Sequence, residues 1–166
     1  MANYTQDEIA EALAAVIESV STASVVITDE KFSEATADLL RLLTSAAKGQ
    51  PLKGWIITLE QIVSQEDDGT GEVAIVYGFG LTYIHEYLNK SPGGVTSEIE
   101  FKREIFRVNN ALNIKRNLGL DNRVRHQCMV STEPFELAES KGGNKLFHIG
   151  DFTLNVQDIN TFQEIY

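Results

Sequence analysis

An unusually long alternation, from Val73 to Tyr87, constrains this chain more than any other feature. Val73, Ile75, Tyr77, Phe79, Leu81, Tyr83, His85 and Tyr87 all fall on one side of an extended backbone, because successive side chains of a strand point to opposite faces. A helix would scatter the same residues around its axis. At ~3.3 Å per residue, a strand from about Glu72 to Leu88 would span roughly 50 Å, longer than a typical strand. Gly78 and Gly80 lie on the opposite face and predict a bend or bulge. Trp55 to Val63 precedes this segment as a second strand. Glu66-Asp67-Asp68-Gly69-Thr70-Gly71 between them reads as a loop, since Asp and Gly favour turn conformations. Residues 55–88 therefore predict one long antiparallel hairpin.

The flanking segments follow a different period. Thr5 and Glu8 form a capping box. Ile9, Leu13, Val16, Ile17 and Val20 then share one helical face, predicting a helix over 5–20. Val25 to Ile27 suits a short strand. Phe32, Ala35, Leu39, Leu42, Leu43 and Ala46 predict a second helix over 30–47, ended by Gly49. Ser97 with Glu100 reads as another capping box. It opens a helix whose stripe is Phe101, Ile105, Val108 and Leu112 and which Gly119 can close. Alternation from Arg123 to Val130 suggests a strand with Cys128 on its apolar, buried side. Leu146–Ile149 and Phe152–Val156 are strand segments whose inward face changes phase at Gly150-Asp151, predicting a bulge or kink there. Strands follow strands, so the expected class is α+β. It has a mainly antiparallel sheet with a long β-hairpin and two to three helices packed on one face. One domain of 1–166 is expected, with an N-terminal helical part at about 5–47 and a sheet-plus-helix core at about 55–158. A chain of 166 residues can bury such a core without staples.

Charge narrows the function classes. The net charge is −10, which argues against broad nucleic-acid binding, since that needs a positive footprint. Residues 1–100 hold 16 acids and 5 bases, whereas residues 101–125 hold 7 bases and only 2 acids. Those bases are Lys102, Arg103, Arg107, Lys115, Arg116, Arg123 and Arg125. On a helix, Lys102, Arg103, Arg107, Lys115 and Arg116 can stand away from the apolar stripe. Such a run is either a solvated face or a surface matched to acid on a partner. In a self-associating protein that acid can come from the hairpin tip of a neighbouring copy, at Glu66, Asp67 and Asp68. No apolar run is long enough to span a bilayer, and the first residues lack the pattern of a signal peptide. The single cysteine, Cys128, excludes an internal disulfide and fits folding in a reducing cytosol.

Catalytic chemistry is not legible. Gly69-Thr70-Gly71 lacks the Gly-Lys-Ser/Thr ending of a phosphate loop, and its acidic neighbours would repel phosphate. Glu66, Asp67, Asp68 and Glu72 lack the spacing of a calcium loop. His85, His126 and His148 sit in three different strands with no Cys or carboxylate at metal-ligand spacing. The expectation is no enzyme, no metal and no cofactor. A structured pocket lined by His85, His126 or Glu86 would instead point to a small cytosolic oligomeric enzyme.

The strand Gly71–Leu88, the helix Ser97–Leu118 and the phrase Leu146-Phe147-His148-Ile149-Gly150-Asp151-Phe152-Thr153-Leu154-Asn155-Val156 together resemble the tail terminator and neck (head–tail joining) proteins of long-tailed bacteriophages. The resemblance covers about residues 55–158, and the segment 30–47 fits it less well. It implies a non-catalytic structural protein of the virion, folded in the host cytoplasm. Copies would form a ring, usually a hexamer, that caps the tail tube, ends its polymerisation and docks the head connector or stopper. DNA would pass through the lumen without specific binding, and no membrane is involved. Another neck, tube or baseplate ring component is the nearest alternative.

Overall fold

The computed structural model of the chain describes residues 4–28, 50–67, 72–88, 96–139 and 145–161, with the backbone alone at Glu66, Asp67, Asn160 and Thr161. The expected helix over 30–47 and the loop residues Asp68, Gly69, Thr70 and Gly71 lie outside them. The described elements are α1 (Gln6–Glu18), β1 (Val25–Thr28), β2 (Lys53–Asp67), β3 (Glu72–Glu86), α2 (Ser97–Ile114), β4 (Val124–His126), β5 (Val130–Ser131), β6 (Glu136–Glu139) and β7 (Leu146–Thr161). The strands form one seven-stranded sheet in the order β1-β2-β3-β7-β4, with β5 and β6 also paired to β7. All pairings are antiparallel except that of β1 with β2. The class is α+β with a mainly antiparallel sheet.

The expected hairpin is present, with its first strand longer than expected, at Lys53–Asp67, and its second ending at Glu86 rather than Leu88. β2 pairs with β3 from Lys53 opposite His85 to Asp67 opposite Glu72. Glu66 and Asp67 therefore end a strand rather than belong to a loop, because their backbones still have partners in Val73 and Glu72. Leu59 lies opposite Phe79 and Gln61 opposite Gly78, so Glu60 is an extra residue, a β-bulge. Gly78 and Gly80 make room for it. A Cβ on Gly78 would stand 2.6 Å from Gln61 Cγ, and one on Gly80 would meet the Glu60 carboxylate.

α1 and α2 both pack on one sheet face. Ile9, Leu13, Val16 and Ile17 of α1 and Phe101, Val108 and Leu112 of α2 meet Trp55, Ile57, Tyr77, Phe79, Leu81, Tyr83, Phe152, Leu154 and Val156. The Thr5–Glu8 capping box forms as expected. In α2 the cap lies one residue earlier than expected. Thr96 accepts from the Ile99 amide, which frees the Ser97 hydroxyl to meet His148 Nε2 at 3.1 Å. The helix ends at Ile114 rather than at Gly119. Leu118 (φ 56°) and Gly119 (φ 80°) instead form left-handed turns beyond it. Leu112 is buried in the main cluster, whereas Ile105 is only partly buried at its margin. Leu112→Ala is expected to lose ~2–5 kcal/mol and Ile105→Ala clearly less, as measured by denaturant unfolding. An unchanged midpoint for Leu112→Ala would contradict the packing of α2 on the sheet.

Two expectations about the C-terminal strands are corrected. β7 is continuous, in unbroken register with β3 from Phe147 opposite Glu86 to Thr161 opposite Glu72. No bulge exists at Gly150-Asp151. The apolar pattern changes phase because both sheet faces are buried there. Phe147 and Ile149 join Leu52, Ile56 and Ile84 in a second cluster on the other face, while Phe152, Leu154 and Val156 face the helices. The predicted strand over 123–130 is instead broken. His126 lies opposite Val156 and Val130 opposite Thr153, so the path to β5 takes one residue more than β7 does. That extra residue shifts the phase. Met129 turns toward the core, and Cys128 is exposed rather than buried.

Candidate interaction surface

The helix α2 carries its core stripe on one side and presents the opposite side to solvent. Phe106 follows Phe101 by five residues, or about 140° around the axis, and cannot reach the sheet. Phe106 is 65% exposed and Ile99 is 45% exposed. Together with Lys102, Arg103, Arg107 and Asn110 they line a shallow trough along the outer face. A second groove adjoins it, running between α2 and the β5 side of the sheet past Ile105, Phe106, Asn109, Met129, Phe135 and Phe152. Phe135 stands edge-on to the buried Phe101 ring, with centroids 5.3 Å apart. The surface is thus apolar along its floor and cationic along its rim, the composition that suits a protein partner better than bulk water.

The seven bases of the basic segment do not act as one patch. Lys102 pairs on the surface with Glu98 at 2.6 Å, one helical turn away. Arg107 is drawn inward. Its Nη1 lies 2.6 Å from the carboxylate of Glu104, which is fully buried. Arg123 is also committed within the chain, to Asp158 at 3.4 Å and Asp121 at 3.1 Å, with its guanidinium 4.8 Å from the Tyr4 ring centroid. Arg107 and Arg123 are therefore each held by a carboxylate of their own chain. Arg103, Lys115, Arg116 and Arg125 are exposed and make no ion pair among the described residues. Lys102 and Lys115 are thirteen residues apart, about 20 Å along a helix. The bases thus form two groups, Lys102–Arg103 on the trough and Lys115, Arg116 and Arg125 past the helix end. On the acidic side, Glu66 and Asp67 lie at the end of the ribbon by backbone position, and Asp68 is outside the described residues.

Sequence reasoning missed two things here. One is the apolar half of the surface. Ile99 and Phe106 fall outside the Phe101–Leu112 stripe, and a helical projection of 97–114 reveals them. The other is Glu104. This carboxylate accepts from the Ser21 hydroxyl, the Thr22 amide (3.1 Å), the Thr22 hydroxyl (3.0 Å), Trp55 Nε1 (3.4 Å) and Arg107. It ties the connection after α1 to α2. An acid flanking an apolar stripe was the available signal.

The histidines are held within the fold. His126 Nε2 faces the Leu112 carbonyl at 2.8 Å and its Nδ1 faces the Gln127 carbonyl at 2.6 Å, which fastens the end of α2 to β4. His85 and His148 sit opposite each other on β3 and β7, with ring centroids 6.4 Å apart. His85 Nε2 lies 3.6 Å from Glu100, which also meets Lys53 at 3.4 Å. Ser97 and His148 are at the distance of a nucleophile and its base, yet Ser97 is fully buried, so the contact is a helix-to-sheet tie. Glu86 accepts from the Leu52 amide and pairs with Lys145. Among the described residues, no three His, Cys, Asp or Glu side chains converge to hold a metal.

Burial pushes the His85 imidazole down from 6.5 to about 4, helped by Lys53 and opposed by Glu100. Burial likewise lowers His148. The unfolded chain takes up the His85 proton near pH 6.5, while the folded chain resists it until about 4. Stability is therefore full above pH 6.5 and falls as pH drops through that window. Thermal unfolding of His85→Gln is expected to lose less between pH 7 and pH 4.5 than that of the parent. An identical loss in both would show that His85 is not a source of the acid sensitivity.

No described helix is long and apolar enough to cross a membrane. No protein-family model matches the chain, and no curated protein matches it either.

Proposed function

We propose that this protein is a non-catalytic structural subunit of a phage tail or neck. Copies would form a ring, of six by the resemblance, that caps the tail tube, stops its growth and offers a face to the head connector. The observation that carries the reading is the outer face of α2, where Ile99 and Phe106 stand exposed beside Lys102 and Arg103. Aromatic and arginine side chains supply most of the binding energy in protein interfaces, and an unpaired pair of this kind in water calls for a protein partner. The resemblance to tail terminator and neck proteins supplies the role and the other partners, the tube protein and the connector or stopper. The polar groups with catalytic potential, His85, His126, Ser97 and Glu104, are spent on ties between elements. A strongly acidic chain suits a lumen through which DNA slides without sticking.

The test is the double change Arg103→Glu with Phe106→Glu. Both side chains are exposed, so thermal unfolding should stay within a degree or two. Self-association, or capping of purified tubes, should weaken by at least ~10-fold, which corresponds to ~1.4 kcal/mol. Unchanged association and capping would leave this face as ordinary solvated surface. Capping of a connector or baseplate part in place of the tube would move the protein to another ring of the virion.

A further inference from the structure

We infer that copies associate end to end along α2, with Ile114 of one copy seated between Phe135 and Leu137 of the next, and Lys115, Arg116 and Arg125 facing Glu133 and Glu139. This rests on the self-association proposed above and names its contact. Ile114, the last residue of α2, is 82% exposed. Lys115 and Arg116 follow it. The Arg116 carbonyl accepts from the His126 amide at 3.0 Å, which brings Arg125 alongside. All three bases are exposed and make no ion pair among the described residues. The complementary strip is 133–139. Phe135 is 46% exposed and Leu137 54%. Both face the α2 side of the sheet. Phe135 meets the Phe101 ring, and Leu137 lies directly opposite His148, whose ring also meets Phe101. Glu139 lies two residues on in β6 and shares that side with Leu137. Between His126 and Lys141 the chain has Glu133, Glu136 and Glu139 and no base. These acids are also exposed and make no ion pair among the described residues.

Position, and not charge alone, selects this pairing. β7 passes His148 beside Ser97 at the start of α2, then Val156 opposite His126 at the end of α2, then Thr161 opposite Glu72 at the end of the ribbon. The basic patch and the ribbon acids Glu66 and Asp67 therefore lie toward the same end of the molecule. So does the acidic first turn of α1, because the Tyr4 amide is held by Asp158. The strip 133–139 lies toward the opposite end, separated from Ile114 by most of the 18 residues of α2, roughly 27 Å. Other acids at that end, Glu86, Glu98 and Glu100, are already paired with Lys145, Lys102 and Lys53. A contact between two different ends is head-to-tail and repeats from copy to copy until the rotation closes it. Opposite charge sets the register, and the exposed apolar side chains supply the burial.

The experiment uses full-length chains in a Cys128→Ser background, which removes the single native thiol. Ile114→Cys protein is mixed with Leu137→Cys protein under mild oxidation, at concentrations where the parent self-associates and on tubes. A disulfide-linked dimer is expected in the mixture and in neither component alone, because a head-to-tail contact brings 114 to 137 but not 114 to 114. Adding Lys115→Glu and Arg116→Glu to the first chain should cut the linkage by at least ~10-fold, since like charges then face each other. Glu133→Lys with Glu139→Lys in the second chain should restore it. All these positions are exposed, so thermal unfolding of each variant should match the parent and separate loss of contact from loss of fold. Particles of parental mass without the mixed linkage would overturn the end-to-end contact while leaving self-association standing. Linkage in Ile114→Cys protein alone would overturn it too, since it would show like ends meeting. Absence of any particle larger than one chain, across the concentration range and on tubes, would overturn both.

Discussion

Glu104→Ala is expected to destabilise the protein by ~3–5 kcal/mol, the cost of removing one partner from a buried charge network. The carboxylate is fully buried. It collects donors from the Ser21 hydroxyl, the Thr22 amide and hydroxyl, Trp55 Nε1 and Arg107. Alanine would leave the indole N–H and the Thr22 groups without an acceptor, and a buried donor without one costs more than a made bond contributes. Arg107 would keep its access to water, so its loss is the smallest part. For a chain of this size the midpoint of thermal unfolding should fall by roughly 10 °C. Glu104→Gln, which retains one acceptor oxygen, should fall less. Glu98→Ala removes a surface pair with Lys102 and should leave the midpoint unmoved. If Glu104→Ala melts with the parent, the network is not a stabilising tie between α1, β2 and α2.

Phe101→Ala is expected to cost a further ~3–5 kcal/mol in its own right, as for other buried phenylalanines. The ring is fully buried. It stacks on Tyr83 with centroids 5.4 Å apart, stands edge-on to Phe135 at 5.3 Å and lies 5.4 Å from His148. Gly150 allows this close approach of helix to sheet, since a Cβ there would lie 3.1 Å from the Phe101 ring. The same ring supports the interaction surface, because Phe135 rests on it and walls the groove beside α2. Phe101→Leu should retain the fold while loosening Phe135, and its self-association should weaken more than its stability loss explains. Equal stability of Phe101→Ala and the parent in denaturant would contradict this packing.

The sheet and its helices were legible where one period ruled a segment. The alternation from Val73 and the stripe Phe101–Leu112 each face a single side, and both elements lie where their periods place them, except that the strand ends at Glu86, before Tyr87. The misreadings arose where two environments shared one strand. Phe147 and Ile149 serve one face and Phe152, Leu154 and Val156 the other. An apolar list alone could not distinguish that from a bulge. Cys128 was misplaced because the extra residue between His126 and Val130 is a pairing event that depends on β7. The candidate surface was half legible. The charge of residues 101–125 was plain, but the pairing of Arg107 with Glu104 and of Arg123 with Asp158 depends on partners distant in sequence or hidden by burial. Exposed Ile99 and Phe106 are not legible from the stripe, because apolar residues are expected to point inward.

The central claim, that this chain is a ring-forming structural subunit, is tested most directly by its native mass. Purified protein should be measured by native mass spectrometry from dilute to concentrated solution at low salt, alone and with tail tubes, and the particles imaged by negative stain. The account predicts a closed species at a fixed multiple of 18.4 kDa, six by the resemblance, which forms at high concentration or on the tube end and disperses with salt. A single-chain mass throughout, with and without tubes, would contradict it.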